Sequence, residues 1–192
     1  MKKLSLYIFL FLMWCNVGVA EKISFSDIKI GDKISKYFNS QQISKYYVNA
    51  DPSPSGEKLF GKDLKYSFIA MTSEDKIFVG DYAFYQIYYE NNSKKIVSIS
   101  GTDISPDIDS CLKKRSEKVS EYKSKNRITS LFNKHESEDT YPDGVKTYNV
   151  GFYGPRKIFA FSCYVYPDDS VEYSFTIYEN EYNSFIYKKM NK

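Results

Sequence analysis

Two cysteines on segments of opposite periodicity constrain this chain more than any other feature. Cys111 lies in SPDIDSCLKKRSEKVSEYKSKN, residues 105–126. At 100° per residue, Ile108, Cys111, Leu112, Val119 and Tyr122 fall within one arc of about 100°, the signature of an amphipathic helix. Ser105 reads as the cap, Pro106 as the first helical residue, and Asp107 and Asp109 as acids beside the positive end of the helix dipole. Cys163 lies in KIFAFSCYVY, residues 157–166, where Phe159, Phe161, Cys163 and Val165 share one face of a strand. A bond between the two sulfurs would pin the helix to that sheet face.

The compartment needed for such a bond is suggested by the N-terminus. Lys2 and Lys3 precede an apolar run from Leu4 to Cys15 that is too short to span a bilayer, which takes about 20 residues. Gly18 and Ala20 stand where a signal peptidase needs small side chains, and Glu21-Lys22 follows. Residues 1–20 are therefore expected to be a signal peptide cleaved after Ala20, leaving residues 21–192 as one periplasmic or secreted domain. The alternatives are an uncleaved anchor and a lipoprotein built on Cys15, although Trp14 occupies the position where lipid processing needs a small residue. No later run is long and apolar enough to suggest a membrane span. With Cys15 removed, two cysteines remain, and an even pair in an exported chain reads most simply as a disulfide. A metal pair would lack further Cys or His ligands, and a catalytic thiol would lack a suitable histidine.

Loss of Lys2 and Lys3 leaves 25 basic against 24 acidic residues, a balance with no electrostatic footprint for nucleic acid. The short clusters Lys113-Lys114-Arg115 and Lys188-Lys189 read as solvated surface. With 19 Tyr and 14 Phe but 9 Gly and 6 Pro, the chain has the composition of a packed domain rather than a disordered one.

Pro167-Asp168-Asp169-Ser170 turns the Cys163 strand into VEYSFTI, where Val171, Tyr173, Phe175 and Ile177 alternate with Glu172, Ser174 and Thr176. Tyr141-Pro142-Asp143-Gly144 is a second turn, leading into VKTYNVGFY. The polar stretch between Arg127 and Tyr141 reads as a loop. In the first half, Phe25, Ile28 and Ile30 lead through Gly31-Asp32 into a short helix beginning at ISKYF, and DPSPSGE, residues 51–57, is loop-like. Strands are expected at about 64–71, 82–90 and 94–100, the last two joined by Asn91-Asn92-Ser93. The fold class is α+β, with two helix-plus-antiparallel-meander halves, about 21–103 and 104–192, and helices packed on sheet. A shift of 77 relates Asp32 to Asp109, Tyr89 to Tyr166 and Ser93 to Ser170.

FSDIKIGDKISKY, residues 25–37, resembles the opening of the exported modules shared by SmpA/OmlA-type outer-membrane assembly proteins and tandem-repeat β-lactamase inhibitor proteins. In those, an apolar-patterned lead and a glycine precede a short helix and an antiparallel sheet; Asp32-Lys33 departs from the hydrophobic-Thr/Ser pair usual after the glycine. The cysteine-bearing helix, CYVYPDD and the ending SFIY also resemble uncharacterised small secreted bacterial proteins. These resemblances imply a fold and, for the first, a habit of binding other proteins.

The residues of ordinary catalysis are sparse. His135 is the only histidine, set among acids in NKHESED, and no G-x-S-x-G or phosphate-binding glycine loop is present. No cofactor, metal site or catalytic residue is assigned. The functional hint is aromatic: Tyr164 and Tyr166 lie on the strand face opposite Cys163, Tyr178 points the same way from the next strand, and Tyr88 is expected to join them from the corresponding strand of the first half. Tyrosines on a sheet face suit protein, peptide or sugar binding, offering flat apolar area and a hydroxyl at little entropic cost. They equally suit a covered sheet face. The expectation is a non-enzymatic interaction module of the bacterial envelope with an envelope protein as partner; the alternatives are a periplasmic sugar- or lipid-binding protein, or a hydrolase using carboxylates.

Overall fold

A computed structural model describes residues 22–49, 58–79, 82–125 and 127–190. The signal segment with Cys15 and the DPSPSGE loop lie outside the described residues, as does Asn126 at the expected end of the long helix. Ten strands are present among the described residues: β1 (Ile23–Ser24), β2 (Tyr47–Val48), β3 (Tyr66–Thr72), β4 (Phe78–Val79), β5 (Phe84–Glu90), β6 (Ile96–Ser105), β7 (Asn133–Thr140), β8 (Lys146–Tyr153), β9 (Lys157–Val165) and β10 (Val171–Glu179). Three α-helices accompany them among the described residues: α1 (Ser40–Tyr46), α2 (Ile108–Ser124) and α3 (Asn180–Met190). None is long and apolar enough to cross a membrane.

Eight strands form one antiparallel sheet in the order β2-β3-β5-β6-β10-β9-β8-β7, while β1 and β4 pair in parallel beside it. The period-2 alternation of β10 makes its faces unlike. Val171, Tyr173, Phe175 and Ile177 are buried on the inner face, and Glu172, Ser174, Thr176 and Tyr178 are half-buried on the outer one. Register carries this division across the sheet, because Phe175 faces Phe161 on β9 and Gly101 on β6, whereas Thr176 faces Ala160 and Ser100.

Helix α2 covers the inner face over β9, β10 and β6. Cys111 and Cys163, both fully buried, are joined by a disulfide with Cα atoms 6.0 Å apart. Tyr122, eleven residues on, sets its ring 4.7 Å from Phe175 and 5.7 Å from Phe159, so the helix is fastened at both ends of its apolar arc. Phe25, Ile28, Ile34 and Phe38 complete the same core from the N-terminal side. A smaller cluster on the outer face joins Phe60, Tyr66, Phe68 and Tyr182 beneath α3.

Three expectations are corrected. The polar stretch after Arg127 contains β7, paired along its length with β8. It is an edge strand, so five of its eight residues in NKHESEDT can be charged or amide side chains facing water without disturbing the ladder, and such charge protects an open edge from pairing with other chains. The cap of α2 is Asp107, whose carboxylate accepts the Ser110 amide at 2.7 Å; Ser105 ends β6 and donates its hydroxyl to the Asp107 carbonyl. In the first half, ISKYF makes only a 3-10 turn (Ile34–Lys36), and α1 begins beyond it at a capping box between Asn39 and Gln42.

Gly101 marks a close approach on the inner face. A Cβ there would stand 2.6 Å from the ring of Tyr82, which lies over β6 and runs parallel to Tyr173. Gly101→Ala is expected to destabilise the protein by about 2 to 3 kcal/mol through displacement of that ring. Urea unfolding checks it; a variant as stable as the parent would contradict the packing of Tyr82 on the strand.

Candidate functional site

Among the described residues, the outer face is covered at one end only. Helix α3 follows β10 without a loop and folds back over the sheet, and Asn180 holds the junction by donating its side-chain amide to the carbonyls of Gly154 and Pro155 at 3.1 and 3.2 Å. Tyr182, at the start of the helix, packs edge-on against Tyr66 at 5.2 Å, and Phe185 meets the same ring at 5.0 Å. The uncovered part of the face is a cleft of about 550 Å³ between α3, the strand bearing Tyr88, and the far end of β9 and β10.

All four tyrosines singled out in the sequence, Tyr88, Tyr164, Tyr166 and Tyr178, line this cleft. They do so in two ways. Tyr88 stacks on Phe68 at 4.9 Å and lies 5.1 Å from Phe60, and with Tyr178 it borders the small outer cluster. These two are structural walls. Tyr164 and Tyr166 form the opposite wall, where Tyr166 donates its hydroxyl to Glu172 at 2.8 Å. Burial holds the hydroxyls of Tyr164 and Tyr178 well above the usual tyrosine range; burial and the Glu172 carboxylate do the same to Tyr166. All three are therefore neutral hydrogen-bond donors at physiological pH.

Between the walls lies a floor of small hydroxyls. Ser98, Ser100 and Thr102 on β6 face Tyr178, Thr176 and Ser174 on β10, and the Ser100 and Thr176 hydroxyls bond to each other at 2.9 Å. Glu172 is the one ionisable carboxylate or amine among the described lining residues. A surface of this kind, rigid aromatic sides over a bed of donors and acceptors, can hold a polar, largely uncharged ligand by stacking and hydrogen bonds. Among the described residues it offers no paired acids, nucleophile-base couple or metal-ligand cluster.

The sequence reading missed the α3 wall and the hydroxyl floor. The floor had a signal, since Ser98, Ser100 and Thr102 alternate with apolar positions on a strand whose other face is buried. His135 sits on the exposed edge strand with its ring 6.3 Å from Tyr153, away from the cleft. Asn91 spends its side-chain amide on the carbonyls of Gly61 and Leu64, both at 2.7 Å, which anchors the Asn91-Asn92-Ser93 turn. Asp107, Asp168 and Asp169 are likewise consumed in a cap and a turn. No protein-family model, curated protein or solved structure matches the chain.

Proposed function

We propose that this is a non-enzymatic, exported interaction module of the bacterial cell envelope that holds a protruding polypeptide segment of another envelope protein in the tyrosine cleft. The convergence of four tyrosines from β5, β9 and β10 and the segment following β9 on one open hydroxyl-floored cleft carries this reading. Tyrosine and serine together are the side chains that protein-recognition surfaces favour, because the rings supply area with only two rotatable bonds and the hydroxyls adapt to backbone groups. Glu172 fits a partner segment that brings one basic side chain into an otherwise neutral groove. The strand order supports the tandem arrangement that the resemblance implies: β3-β5-β6 and β8-β9-β10 are successive meanders, and the last strand of each meets the other at the centre of the sheet. The buried disulfide is in keeping with processing after Ala20 and residence in an oxidising compartment.

A second reading, a sugar-binding protein, is favoured by the floor of paired hydroxyls alone. Site-specific photo-crosslinking separates the two. A crosslinker replacing Tyr166 is expected to capture one discrete envelope protein, while the same group at exposed Ser116 on α2 captures none. With the purified pair, Glu172→Gln is expected to weaken binding roughly 5- to 30-fold, as loss of a charge-assisted contact does. Ligand-dependent melting shifts with sugars, without a crosslinked protein at position 166, would instead support the second reading and overturn the first.

A further inference from the structure

On the opposite side of the molecule from the cleft, the N-terminal segment, the residues after α2 and the β8–β9 turn enclose a cavity of about 720 Å³. Its lining combines apolar surface from Ile28, Ile30, Phe132, Phe159 and Ile177 with four cations, Lys29, Arg127, Arg156 and Lys157. Arg127 and Arg156 are two of the three arginines in a chain with 24 lysines. The opposing charge is Glu179 alone, and none of the four cations has a carboxylate within salt-bridge distance among the described residues.

Other lysines of this protein find acids, as Lys36 does with Asp32 and Lys125 with Glu121. Here the cations are gathered instead over aromatic carbon: the Arg127 guanidinium lies 5.4 Å from the Tyr122 ring and the Lys157 ammonium 5.0 Å from Phe159. Arg127 is held in place by a bond from its guanidinium to the Ser26 carbonyl at 3.3 Å. Burial, with Arg127 nearby, pulls the Lys157 ammonium below its ordinary range, and burial pushes the Glu179 carboxyl up. Like charges collected in a partly desolvated place repel, and an incoming anion relieves that repulsion. At the mouth, Leu131 is 73% exposed, extending the apolar lining outward to where a tail would leave.

We propose that this cavity binds a single-chain amphiphile with an anionic head, the head held by Arg127, Arg156 and Lys157 and the tail laid over Ile28, Phe132, Phe159 and Leu131. The volume is within the range of about 300 to 1,000 Å³ that small-molecule sites occupy. A fatty carboxylate and a lipid phosphate share this chemistry, and the test separates them. The site is independent of the tyrosine cleft.

Isothermal titration of the mature protein with decanoate, decyl phosphate, decanol and inorganic phosphate, all below micelle-forming concentration, reads the proposal directly. Decanoate or decyl phosphate is expected to bind at least 10-fold more tightly than decanol and than inorganic phosphate; whichever of the two is tighter identifies the head group. The double variant Arg156→Gln, Lys157→Gln is expected to lose at least 10-fold in affinity with an unchanged melting temperature, and Leu131→Ser, at an exposed position and without a change of charge, to weaken the decyl ligands but not inorganic phosphate. Tyr166→Ser, in the separate cleft, is expected to leave the titrations with decanoate and decyl phosphate unchanged. Decanol binding as well as the anions, inorganic phosphate binding as well as the decyl ligands, no binding at all, full affinity in both cavity variants, or loss of binding in Tyr166→Ser would each overturn it.

Discussion

Replacing both Cys111 and Cys163 by alanine is expected to lower the unfolding free energy by about 3 to 4 kcal/mol. The bridge closes a loop across 52 positions, so the unfolded chain loses many of its conformations when the bond is present. For a chain of this length the melting temperature should fall by roughly 10 °C. Strong reductant, added once the fold has been loosened, should bring the parent down to the same value and leave the alanine variant unaffected. Both sulfurs are fully buried under α2, so reduction of the native protein is expected to be slow and limited by opening of the helix from the sheet. Equal stability of oxidised and reduced parent would show that the helix needs no covalent clamp.

Phe175→Ala should have the largest effect of any single truncation, about 3 to 5 kcal/mol. The ring is fully buried at the centre of the inner face, 4.7 Å from Phe161 on β9, 4.7 Å from Tyr122 on α2 and 6.3 Å from Phe25 of the N-terminal segment. Removing it takes a shared partner from all three layers at once. Thr176→Ala, one residue along and on the outer face, should cost less than about 1.5 kcal/mol, the value of one hydroxyl bond to Ser100. The contrast between neighbours, measured by chemical denaturation, tests the assignment of faces without assuming anything about a ligand.

The second half of the fold was legible because several local signals agreed there. Alternation in β9 and β10, the turn at Pro167-Asp168-Asp169-Ser170 with Asp169 at positive φ, and the apolar arc of α2 each specify the same helix-on-sheet arrangement, and the cysteines fall where that arrangement brings them together. Strand β7 was hidden because an edge strand with both faces in water needs no alternation; its pairing comes from β8 and the Tyr141-Gly144 turn, not from its own side chains. Helix α3 was hidden because it follows β10 with no glycine or proline between them, although Tyr182, Phe185 and Ile186 stand at helical spacing. The same helix accounts for the missed half of the cleft. The tyrosines could be placed on one face from the period of two, but whether that face was open depended on how α3 folds back, a tertiary fact that no window of sequence contains.

The two faces of the sheet do different work, one clamped beneath α2 and the other left open with tyrosines at its rim. Equilibrium unfolding of the Tyr164→Ser, Tyr166→Ser variant tests this most directly. A loss of under about 2 kcal/mol is predicted, well below that of Phe175→Ala, because both rings remain partly exposed at the cleft wall. A loss equal to or larger than that of Phe175→Ala would place these tyrosines in the core and contradict the open face.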